Sequence, residues 1–124
     1  MRRAFWSGAT VAIMLCLVPI CTWGHAYLVK SSPARRAVLA TPPTRVVLWF
    51  NERLEAQFSQ LAIWNAAGQQ VDGGDVQVGP DDGKRLSVSI PTLPAGSYTV
   101  KYRVLSVDGH IVEAEFPFTI RSRQ

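Results

Sequence analysis

The sequence contains two histidines, His25 and His110, and the second lies two residues after Asp108. A histidine at a free N-terminus is a chelator in its own right, because its α-amine and ring Nδ1 close a six-membered ring on one metal ion. An unperturbed α-amine titrates at about 7.7–8.0, so it yields its proton to a metal at modest cost near neutral pH. The His110 imidazole and the Asp108 carboxylate bring the set to three nitrogens and one oxygen. In a tetragonal arrangement these donors suit one Cu(II) per chain. Nickel stands lower in the Irving–Williams order, and zinc prefers a tetrahedral arrangement. Taken singly, Asp108-Gly109 is an ordinary hairpin turn and His110 an ordinary loop residue. The conjunction of the three residues is what points to a metal.

His25 becomes a terminus only if the chain is cut before it. Arg2 and Arg3 form a positive start, Ala9 to Ile20 is an apolar run, and Thr22-Trp23-Gly24 supplies small residues at a cleavage site. That layout is a secretory signal over residues 1–24, cut after Gly24 and leaving 25–124 as one domain. The apolar run is short for a membrane span, which needs about 20 residues. Cys16, Cys21, Met1 and Met14 are the only sulfur-bearing residues, and all leave with the signal. No disulfide then supports the domain, and no thiolate or thioether is left for Cu(I). Of the 13 Lys and Arg, Arg2 and Arg3 also leave, and the rest are scattered against 9 Asp and Glu. Nothing there suggests a nucleic-acid partner, and no small-molecule substrate is expected.

The elements that must position the three residues read as strands. Candidates are Ala26–Ser31, Arg45–Phe50, Phe58–Asn65, Asp75–Val78, Arg85–Ile90, Ser97–Ser106 and Ile111–Ile120, separated by turn residues such as Gly79-Pro80-Asp81-Asp82-Gly83. Only Arg53–Gln60 has room for a helical turn. Seven short strands predict an all-β, Ig-like Greek-key sandwich of two antiparallel sheets. Tyr98, Val100, Tyr102 and Val104 share one face of their strand, and Val112, Ala114, Phe116 and Phe118 share one face of the next. Extending both alternations into the intervening turn puts Asp108 and His110 on the same inner side, at one end of the sandwich. Leu93-Pro94-Ala95-Gly96-Ser97-Tyr98 reads as a tyrosine corner, with Tyr98 structural.

Four segments carry a family resemblance: His25-Ala26-Tyr27-Leu28-Val29-Lys30-Ser31-Ser32-Pro33, Phe50-Asn51-Glu52-Arg53-Leu54, Leu93 to Tyr98, and Ser106-Val107-Asp108-Gly109-His110. Together they resemble the CopC family of periplasmic copper-binding proteins. The resemblance implies a seven-stranded β-sandwich that binds Cu(II) through His25, Asp108 and His110 and acts in copper homeostasis or resistance. It adds Glu52 as an acidic residue near the metal, and a CopD-type inner-membrane protein as partner. Some members of the family also carry a methionine-rich Cu(I) site. Without methionine after residue 24, that second site is expected to be missing.

The expected function is therefore a periplasmic carrier that performs no chemistry on its cargo. The competing expectation is a redox enzyme, because an N-terminal histidine with a second histidine on a β-sandwich is also the copper brace of lytic monooxygenases. An Asp108 carboxylate bound in the metal plane favours Cu(II) and discourages the cycling such an enzyme needs. Trp49 and Trp64 read as core or sheet-face residues, so no flat aromatic platform for a polymer is expected.

Overall fold

A computed structural model describes residues 26–122. The signal segment and His25 lie outside the described residues. Eight strands follow in order: β1 Leu28–Ser32, β2 Val38–Leu39, β3 Arg45–Phe50, β4 Gln60–Asn65, β5 Gln77–Val78, β6 Arg85–Ser89, β7 Gly96–Leu105 and β8 Ile111–Ile120. They form two four-stranded sheets, ordered β1-β3-β6-β5 and β2-β8-β7-β4.

Alternation along the long strands explains the packing. Val46, Leu48 and Phe50 of β3 are buried, as are Leu86 and Val88 of β6, Leu61 and Ile63 of β4, and Tyr98, Val100, Tyr102 and Val104 of β7. Phe116, Phe118 and Ile120 of β8 complete one continuous core between the sheets. Successive side chains of a strand point to opposite faces, so each apolar stripe turns inward and the polar stripe outward. The all-β sandwich is the architecture the sequence predicts.

Several details differ from the sequence expectation, among them the strand expected from Asp75, which begins at Gln77. Val38–Leu39 forms an eighth strand, parallel to the end of β8 through Thr119 and Ile120. Two residues are too few to show alternation, and this pairing makes the sandwich not wholly antiparallel. The strand expected from Phe58 begins at Gln60, because Ala56–Phe58 winds into a 3₁₀ turn. That turn falls within the one stretch where the sequence leaves room for helix. At the far end, β1 begins at Leu28 rather than Ala26.

The tyrosine corner is present: the Tyr98 hydroxyl donates to the Pro94 carbonyl at 2.6 Å. It pins the loop entering β7 at the sandwich end opposite the β7–β8 turn. Tyr98→Phe removes one partly buried hydrogen bond, worth about 0.5–1.5 kcal/mol. In a domain of this size the melting temperature is expected to fall by about 4–8 °C per kcal/mol. Calorimetry on the variant checks this, and an unchanged melting temperature would leave the corner without an energetic role.

Among the described residues no helix is long and apolar enough to cross a membrane.

Candidate metal centre

The β7–β8 hairpin places Asp108 and His110. Its last regular pair is Leu105 opposite Ile111. Beyond it the Ser106 amide donates to the His110 carbonyl at 3.0 Å, and the Gly109 amide donates to the Ser106 carbonyl at 2.9 Å. This leaves a three-residue loop, Val107-Asp108-Gly109, with Gly109 at φ +93°. A positive φ at the last loop position is characteristic of such hairpins and favours glycine.

The loop folds the two candidate ligands onto each other. His110 Nδ1 lies 3.3 Å from Asp108 Oδ1, with 30% and 22% of the two side chains exposed. Both side chains are partly exposed, while the His110 Nδ1 that faces Asp108 is itself buried. Strict strand alternation, which predicts the shared inner side, ends at Ser106. The turn itself brings the pair together.

Ser106 carries the inward alternation one step past Val104, as it is fully buried. Its hydroxyl donates to Asp108 Oδ1 and lies 3.4 Å from the His110 amide, from which it accepts. The Ser106 hydroxyl, and after it His110, hold the Asp108 carboxyl below its ordinary range, while partial burial works the other way. The oxygen donor is thus ionised without a metal to ionise it. Sequence reasoning passed over Ser106. The available signal was a hydroxyl at an inward-facing position of an otherwise apolar stripe.

A second loop ties this turn to the start of the described chain. The Val107 amide donates to the Arg53 carbonyl at 2.9 Å, and Leu54 forms a bridge with Ser106. Two residues earlier in the same loop, Asn51 Oδ1 accepts from the Tyr27 amide at 2.6 Å. The Asn51 amide donates back to the Tyr27 carbonyl at 3.2 Å. Ala26 is 1% exposed and so anchored as well. Hence the chain emerging from residue 25 enters the fold at the same end as Asp108 and His110.

Glu52 is half-buried within that loop. It does not join Asp108 and His110, since among the described residues no three His, Cys, Asp or Glu are grouped to hold a metal. Trp49 lies on the outer sheet face beneath Lys30, whose Nζ is 4.5 Å from the ring centroid. Trp64 lines an open groove of about 480 Å³ along β4 and β7, with Leu61, Lys101 and Tyr102, that reaches Arg103 and Glu113 toward the β7–β8 turn. Tyr27, Phe58, Val107 and Ile111, four of the six exposed large apolar side chains among the described residues, surround the Asp108–His110 end.

Residues 28–121 match the family model of the CopC domain. The chain belongs to the CopC family, and its relatives include copper resistance and copper transport proteins. It is 31% identical over 120 residues to the copper transport protein CutJ of Bacillus subtilis, covering 96% of this chain but 22% of CutJ. Among solved structures it is similar to CopC from Methylosinus trichosporium OB3b, with 36% identity and a TM-score of 0.72 over 81% of this chain and 97% of that one. PcoC, a methionine-rich copper resistance protein from Escherichia coli, is 28% identical with a TM-score of 0.69 over 79% of this chain and all of PcoC. None of these three relatives is named as an enzyme. In contrast to PcoC's description, the only methionines here are Met1 and Met14.

Proposed function

We propose that the chain, cut after Gly24 and exported to the periplasm, binds one Cu(II) through the His25 amine and imidazole, Asp108 and His110. It carries the ion without changing its oxidation state. The observation that carries this reading is the Asp108–His110 pair, 3.3 Å apart, at the end where Asn51 fixes Tyr27. Two imidazoles, an amine and one ionised carboxylate favour Cu(II) among divalent ions. Absence of sulfur from residues 25–124 supports the same oxidation state.

The receiving partner is a CopD-type inner-membrane copper transport protein. The match to CutJ supports this, because there the matched segment is a small part of a much longer copper transport protein. The apolar side chains around the site give such a partner a surface to cover while the ion changes ligands.

The test is a Cu(II) titration against a competing chelator, using the chain that starts at His25. His110→Ala is expected to weaken binding by more than about 100-fold, since losing even a residue that supports a ligand costs about 10–100-fold. Asp108→Asn, which keeps the shape and removes the charge, is expected to fall within that range. Unchanged affinity in both variants would overturn the site. Ascorbate-driven peroxide formation at many turnovers per copper would overturn the carrier role in favour of a redox enzyme.

A further inference from the structure

We propose that Asn51 is a positioning residue for the copper site, holding the chain so that the amine of residue 25 meets Asp108 and His110. The inference rests on the Cu(II) reading above. Asn51 does not need to touch the ion to do this.

The ladder alone fixes the entering chain poorly. Leu28 pairs with Phe50, but the register breaks immediately, between Leu28 and Lys30. An irregularity of that kind locally disrupts pairing and bends the strand. Beyond it the backbone of Tyr27 is held by two bonds to one residue, the Asn51 side chain accepting at 2.6 Å and the Asn51 amide donating at 3.2 Å. Covalent geometry keeps the Cα of residue 25 within about 7 Å of that of Tyr27. Fixing Tyr27 therefore restricts the volume the terminal amine can search. Two residues after Asn51, the Arg53 carbonyl holds the Val107 amide at 2.9 Å. One short loop thus grips both halves of the site, and its Asn51 side chain holds the N-terminal half at Tyr27. The acceptor is the carboxamide oxygen, and a carboxylate oxygen at the same place can accept the same bond.

The experiment compares the chain starting at His25 with its Asn51→Ala and Asn51→Asp variants, each made with and without one extra residue ahead of His25. Cu(II) affinity is read by chelator competition and the ligand set by electron paramagnetic resonance. Asn51→Ala is expected to bind about 10–100-fold more weakly, with an altered spectrum. Asn51→Asp keeps the acceptor oxygen and is expected to restore the spectrum. In the extended chains, where the His25 nitrogen is an amide and no longer the terminal amine, Asn51→Ala is expected to cause no further loss. The variant should fold, because the bond it removes is solvent-exposed. Wild-type affinity in Asn51→Ala, or an equal loss in the extended pair, would overturn the positioning role alone. Failure of the unaltered chain to bind Cu(II) would overturn the Cu(II) reading, and this inference with it.

Discussion

One residue added ahead of His25 is expected to lower Cu(II) affinity by more than about 100-fold, beyond the roughly 10–100-fold that the loss of a ligand's support costs. The addition turns a basic amine into an amide nitrogen, which holds its proton far more tightly. The six-membered chelate of the His25 amine and ring Nδ1 is lost, and the amine, now on the added residue, joins the His25 ring on one ion only where the intervening amide gives up its proton. The Tyr27–Asn51 bonds lie downstream of the change, so the melting temperature of the copper-free protein should stay the same. Chelator competition on the two chains, with calorimetry beside it, separates a missing ligand from a damaged fold. Equal affinities would remove the N-terminal chelate and leave Asp108 and His110 as a weak two-residue site. A loss in the extended chain larger than that in His110→Ala would mark the terminal chelate as the stronger half.

Much of the fold was legible because alternation is a long-range signal. Ten residues each in β7 and β8 repeat it often enough to fix both the strand and its inner face. The turn chemistry of Asp108-Gly109 then marks where the strands join. Val38–Leu39 offers no repeat, and its strand is defined by a parallel contact with β8 rather than by its own composition. Local pattern likewise does not separate Phe58 from the strand that follows it, since only the backbone bond from Phe58 back to Glu55 ends the extended stretch.

The site divides in the same way. Asp108 and His110 were legible because their chemistry is rare in this chain and their separation is short. The groups that hold them were not. Asn51 acts on a backbone amide 24 positions away, and backbone partners leave no mark in side-chain pattern. Ser106 is a hydroxyl among apolar neighbours, which by itself reads as the fraying end of a strand. Its contact with Asp108 depends on a turn that folds the chain back over it. The ligands can thus be read from residue type, whereas their supports require the register of the sheets.

The largest loss of stability is expected far from the metal, in Phe118→Ala. Phe118 is 1% exposed, pairs across the sheet with Tyr98, and stacks on its ring at 5.4 Å between centroids. Truncation removes this ring and leaves a cavity that the surrounding strands fill only in part, at a cost of about 3–5 kcal/mol. Against a total of about 5–15 kcal/mol for a domain, that is a large fraction, and no cysteine in residues 25–124 offers a disulfide to offset it. The melting temperature should fall by more than about 12 °C. Copper affinity measured well below the transition should nonetheless match the wild type, because Phe118 sits near the Gly96–Ile120 end of the hairpin and His110 at the other. Ten strand residues separate those ends by about 30 Å. Saturating Cu(II) should raise the melting temperatures of both proteins, since an ion bound only to the folded state stabilises it by mass action. If affinity fell together with stability, the sandwich would be transmitting strain along its length, and the site could not be treated as a turn mounted on an independent core.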